Sequence, residues 1–135
     1  MRRSVFSTAI PNALVAVAVG GALGALVRTA LVELVPREAG QWPWVTFFVN
    51  LAGTALLAWS VGSLAHHPGP VLSFIGTGFC GALTSFSAFQ IEAVQLIDEG
   101  ALLLAVAYLA ASLGLGVLIT VALSRRSRPS CEPVV

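Results

Sequence analysis

A few polar and aromatic side chains stand where the chain is otherwise apolar. Asn50 follows Thr46-Phe47-Phe48-Val49 and precedes Leu51-Ala52-Gly53. Phe86 and Phe89 are three apart, with Thr84, Ser85 and Ser87 interleaved. Glu92 lies one helical turn beyond Phe89, and Arg28 stands among Leu26, Val27 and Ala30. An Asn amide brings two N–H donors and one acceptor, and each hydroxyl brings one donor. An aromatic ring carries its positive charge at the edge, where an anion can approach. Amide, hydroxyl and ring-edge donors together suit a small, hard anion.

Each residue also has a plainer reading. Asn50 could make an interhelical hydrogen bond, worth about 0.6–2 kcal/mol. A Phe pair at helical spacing commonly packs or faces lipid, but the interleaved hydroxyls argue against a purely lipidic face. Glu92 reads either as a partner for another polar group or as a titratable part of a pathway. Arg28 reads as a side chain that snorkels or binds backbone carbonyls, or as a positive field at an anion vestibule. Residues alone leave these pairs of readings open.

The elements that must position these groups are membrane helices. The chain has 135 residues, 57% hydrophobic and 10% charged, with mean hydropathy +0.92. Soluble domains carry about 25% charged residues. Four apolar segments, about 12–35, 43–65, 70–97 and 101–124, are each long enough to cross a bilayer, which takes about 20 residues. We read residues 1–135 as one four-span membrane domain with a polar tail over 125–135. The apolar stretch after Met1-Arg2-Arg3 is too long for a signal-peptide core and is expected to be a retained span. The stretch Gly76-Thr77-Gly78-Phe79-Cys80-Gly81-Ala82-Leu83-Thr84-Ser85-Phe86-Ser87-Ala88-Phe89-Gln90, with its glycines and hydroxyls, is expected to break the third span near its middle. Irregular backbone at membrane depth is tolerated only where protein covers it or where it lines a cavity. Gly20 and Gly24 form a small-residue pair that lets helices approach closely, and packing suffices to explain them.

Short connections make consecutive spans antiparallel, so both termini share one side. Arg2, Arg3, Arg125, Arg126 and Arg128 fall there, against Arg37 opposite, which places the termini in the cytoplasm. Trp42 and Trp44 then reach the outer interface. Cys80 reads as a small apolar filler, and its pairing with Cys131 in the tail is not expected. His66 and His67 occupy a turn with no second ligand cluster, so no metal site is expected there. No catalytic constellation is visible, so an enzyme is not expected, and nothing calls for a nucleic-acid partner.

Together these residues resemble the Fluc family of bacterial fluoride channels, also called CrcB. Gly20-Gly21-Ala22-Leu23-Gly24-Ala25-Leu26-Val27-Arg28 is similar to its first-helix motif. Thr46-Phe47-Phe48-Val49-Asn50-Leu51-Ala52-Gly53 is similar to its second. Gly78-Phe79-Cys80-Gly81-Ala82-Leu83-Thr84-Ser85-Phe86-Ser87-Ala88-Phe89 is similar to its third-helix signature, with Ser85 keeping a hydroxyl and Ala88 lacking one. The resemblance implies an antiparallel dimer enclosing two pores in a bacterial plasma membrane. It implies passive export of fluoride, driven partly by the inside-negative potential, about 2.3 kcal/mol per charge per 100 mV. The fluoride pathway it implies comprises Asn50, Phe86, Phe89, Ser87 and Glu92, with Tyr108 and Ser112 from the fourth helix. Gly116 stands where a further fourth-helix hydroxyl is expected. A structural Na⁺ is implied at the backbone carbonyls of Gly81 and Thr84.

Two rival readings come from other classes. A small four-span drug/proton antiporter should carry an acid midway along its first span, whereas Glu33 lies near that span's end and follows Arg28. An assembly subunit would carry no flux. The Arg bias also bears on the partner: an antiparallel homodimer needs one sequence to insert both ways, with nearly balanced flanks. Five Arg against one favour a single orientation, so the dimer partner is either a second copy or a homologous subunit of opposite charge bias.

Overall fold

The computed structural model describes residues 3–64 and 69–126, with side chains over 12–64 and 69–125. His66, His67, Cys131 and the tail beyond 126 lie outside them. The described residues are helical, without strands. Helix α1 runs Arg3–Leu34 and α2 runs Trp44–Leu64. The third span begins with α3 (Pro70–Leu72), with proline in its first turn, where a missing N–H costs nothing. It continues as a π-helical stretch, Ser73–Cys80, and a further turn, α4 (Gly81–Leu83). After a break it resumes as α5 (Phe86–Asp98), and α6 runs Leu102–Arg126. Among the described residues, four stretches are long and apolar enough to span a bilayer: Asn12–Leu34, Trp44–Leu64, Pro70–Asp98 and Leu102–Arg125.

The third span breaks near its middle, within the expected stretch, at its hydroxyl residues rather than its glycines. Thr84 (φ −75°, ψ 143°) and Ser85 (φ −140°, ψ 107°) are the extended residues. The glycines serve close packing instead. A Cβ on Gly20 would run into the Phe74 carbonyl oxygen, and one on Gly24 into the Phe79 carbonyl oxygen. From the other side, a Cβ on Gly78 would sit 2.7 Å from the Val17 carbonyl oxygen. Thus α1 and the π-helical stretch meet backbone to backbone, as membrane helices do where small residues line the seam. Gly76 turns toward α2, near Leu57 and the fully buried Ser60.

The second packing centre joins α2, α5 and α6. Phe47, Phe89, Ala93, Leu96, Ala105 and Tyr108 form a buried cluster, with Trp42 packed against it. Trp42 meets Phe47 and Tyr108 edge-on, at 5.4 and 5.6 Å between ring centroids. Trp44 is half exposed and stacks on Phe48. The two tryptophans therefore differ: Trp44 presents its ring outward, while Trp42 is built into the core. At this end Arg37 ties the α1–α2 connection to α5 through a forked ion pair with Glu99, at 3.0 and 3.3 Å. Cys80 is buried, as expected of a filler.

Candidate functional site

The break in the third span leaves backbone groups that a continuous helix would pair, and side chains from α1 and α2 take them up. The Ser85 N–H donates to Asn50 Oδ1 at 2.9 Å, and Asn50 Nδ2 donates to the Ser85 carbonyl at 3.4 Å. One amide thus satisfies both polar groups of one extended residue. Arg28 Nε donates to the Ala82 carbonyl at 3.2 Å. A charge within a span is costly unless paired or hydrogen-bonded; here Arg28 caps a carbonyl that the break has freed. Ser85 is itself the N-cap of α5, its hydroxyl accepting from the Ala88 N–H at 3.2 Å. Gly53 lies directly behind Thr84, since a Cβ there would meet the Thr84 methyl.

Beside the break a groove of about 470 Å³ lies between α2, α5 and α6. Asn50, Thr54, Thr84, Ser85, Ser112 and Thr120 supply its polar lining, and Phe86 and Phe89 its aromatic one. Among the described residues, no acidic or basic one lines it. The Phe86 and Phe89 ring centroids are 5.8 Å apart. The two rings are unequally placed: Phe86 is 67% exposed, Phe89 only 6%, packed 5.2 Å from Tyr108. Ser112 Oγ is buried without a hydrogen-bond partner among the described residues.

Glu92 stands apart from this groove. Its Oε1 accepts from Thr46 Oγ1 at 2.6 Å and its Oε2 from Tyr108 OH at 2.8 Å. Each carboxylate oxygen therefore holds a hydroxyl, one from α2 and one from α6. A second, smaller cavity of about 110 Å³ reaches Glu92 and Thr46 from the α1–α2 connection, with Arg37 and Trp42 in its wall.

The structure thus gathers Asn50, Phe86, Phe89 and Ser112 around one groove. Tyr108 is fully buried, its hydroxyl on Glu92. Ser87 lies outside the groove lining, exposed, with its Oγ 3.2 Å from Ser85 Oγ. Thr46 and Thr54 were not singled out by spacing. Thr46 lies one turn before Asn50 and Thr54 one turn after, so a helical reading of α2 from Asn50 would have found both on its face. Gly81 and Thr84 flank the break. The Ser85 N–H, which a continuous helix would direct to the Gly81 carbonyl, goes to Asn50 instead. Carbonyls freed in this way are hard oxygen donors of the kind Na⁺ takes, and a Cβ at Gly81 would meet nothing, so this side of the break is open.

Comparison with known proteins agrees with this architecture. Residues 15–123 match the family described as CrcB-like protein, Camphor Resistance (CrcB). The chain is 43% identical over 109 residues to the Mycobacterium tuberculosis (strain CDC 1551 / Oshkosh) protein named Fluoride-specific ion channel FluC 1, covering 78% of this chain and 82% of that one. It is 42% identical over 114 residues to Fluoride-specific ion channel FluC of Ignicoccus hospitalis, covering 83% and 91%. The Rhizobium meliloti (strain 1021) protein of that name is 34% identical over 111 residues, covering 79% and 89%. With four apolar spans, a third span broken at Thr84–Ser85 and a match over most of its length, this chain belongs to the CrcB family.

Proposed function

We propose that the chain is a subunit of a passive, fluoride-conducting channel. The observation that carries this reading is the groove at the break, lined among the described residues by amide, hydroxyl and aromatic groups and by no charged one. A fixed cation there would trap an anion, and a carboxylate would repel it. Neutral donors can replace part of a small anion's hydration shell and still release it. The names carried by the relatives support fluoride as that anion.

Asn50 is held from both sides by Ser85, so its amide is preorganised. Of its two N–H groups one is committed to the Ser85 carbonyl and the other remains for an anion. The exposed Phe86 ring and the buried Phe89 ring both line the groove, and the edge of such a ring can approach an anion. Glu92, with a hydroxyl on each oxygen, orders Thr46 and Tyr108 between α2, α5 and α6. Na⁺ would be held by the Gly81 and Thr84 carbonyls and would supply a fixed positive charge that braces the break.

The functional unit we propose is an antiparallel dimer in the plasma membrane. One chain leaves the groove open along α6, with Phe86 and Val117 exposed on it and a Cβ at Gly116 meeting nothing. A second chain would enclose it. The Arg bias favours insertion with both termini in the cytoplasm and pairing with a homologous chain of opposite bias. External labelling of single-Cys variants near residue 4 and at residues 66–69, with Cys80 and Cys131 removed, tests this. Half-labelling at both sites, with flux from this chain alone, would establish a dual-topology homodimer instead.

The function is tested by fluoride efflux from liposomes holding the purified protein. A channel gives rapid efflux independent of a pH gradient. Efflux coupled to that gradient would support an antiporter, and no efflux an assembly role.

A further inference from the structure

An anion needs hydroxyl protons that are free to turn toward it, and most of those around the groove are already committed. Thr84 Oγ1 donates to the Cys80 carbonyl at 2.9 Å, and Thr120 Oγ1 to the Gly116 carbonyl at 2.9 Å. Both are bonds to the residue four positions back, the usual resting place of a helical threonine hydroxyl. Ser85 Oγ is engaged by the Ala88 N–H and by Ser87 Oγ. Thr54 differs. It lines the same groove, is half-buried, and its hydroxyl has no hydrogen-bond partner among the described residues. It lies four residues after Asn50, hence on the same face of α2. On the α6 side of the groove Gly116 lies between Ser112 and Thr120 and has no side chain to offer.

We infer that the Thr54 hydroxyl is a further anion-contacting group, which continues the donor path from Asn50 along α2 past the gap left by Gly116. The inference rests on the proposed channel function. An anion leaving the free N–H of Asn50 meets an uncommitted O–H one helical turn, about 6 Å, further along α2. In this chain the polar track therefore crosses from α6 to α2, and Thr54 acts by contact with the ion rather than by packing.

The test is fluoride efflux per incorporated protein, read with a fluoride electrode on liposomes. Thr54→Val keeps the shape and removes the hydroxyl. It should slow efflux about tenfold, the effect of one hydrogen bond to a charged group. Thr54→Ser should remain within about twofold of the unsubstituted protein, since the donor is kept. Adding Gly116→Ser to Thr54→Val should restore part of the loss, because it returns a hydroxyl from the α6 side. Wild-type rates in Thr54→Val would overturn the inference, and so would equal losses in Thr54→Val and Thr54→Ser, which would mark a packing role. Should Thr54→Val not insert, Thr54→Ala carries the same comparison with Thr54→Ser. Failure of the unsubstituted protein to conduct would instead overturn the channel function itself.

Discussion

The two halves of the third span are held in opposite ways. Before the break, the π-helical stretch lies against α1 with only glycine Cα atoms between the two backbones. After it, α5 is fastened by side chains: Asn50 on Ser85 at the break, then Thr46 and Tyr108 on Glu92. In lipid there is no hydrophobic drive between helices, so cohesion comes from close packing and from hydrogen bonds. The first half relies mainly on packing, with Arg28 on the Ala82 carbonyl at its end, and the second half on hydrogen bonds. The half with polar fastenings is also the half beside the groove, because groups that hold an irregular backbone can face an ion as well.

Breaking the packed half should have the largest effect. In Gly20→Val the new side chain must occupy the place of the Phe74 carbonyl, and backbone cannot yield as a flexible side chain can. Overpacking of this kind costs about 3 kcal/mol. Extraction in detergent followed by size-exclusion chromatography should show loss of monodisperse protein, whereas Gly81→Ala, at a position with open space, should extract normally.

The polar half should instead lose function before structure. Asn50→Asp retains an acceptor for the Ser85 N–H but places a negative charge beside the groove. Like-charge repulsion at about 4 Å is worth about 4 kcal/mol at an effective dielectric of 20. Efflux should drop more than about a hundredfold while the protein still purifies intact. Near-normal efflux would make Asn50 a purely structural link.

The aromatic pair sharpens the contrast within one face. Phe86→Ile touches an exposed ring and should lower efflux with little change in thermal stability. Phe89→Ile removes a buried ring from the cluster with Tyr108 and should lower both, the stability by about 1–2 kcal/mol. Equal melting temperatures for the two variants would contradict the unequal burial.

The smallest effect belongs to the ion pair outside both regions. Arg37→Gln removes the fork on Glu99, a partly exposed pair. Such pairs contribute about 0.2–1 kcal/mol. A shift of a few degrees in melting temperature, shrinking in high salt, is the expected result.

The sequence by itself determined the four spans, because length and hydropathy suffice to identify a membrane helix. It also showed that something interrupts the third span, and that Phe86 and Phe89 share one helix face, since helical spacing is local information; only the family resemblance joined Asn50 to them. It placed the interruption in residues 76–90, a stretch of glycines and hydroxyls, without telling which of them leave the helix; the extended residues are Thr84 and Ser85. Glycine is ambiguous in a membrane helix: it permits a break, and it equally permits the close approach seen at Gly20, Gly24 and Gly78. Which use applies depends on whether another backbone lies opposite, and that is a property of the folded chain. The same holds for the side chains with two readings. Arg28 at the Ala82 carbonyl, and Glu92 between Thr46 and Tyr108, have their partners on other helices, 54, 46 and 16 residues away in sequence. A donor's partner in lipid is chosen by what tertiary packing brings within reach, and no spacing within one helix can state it.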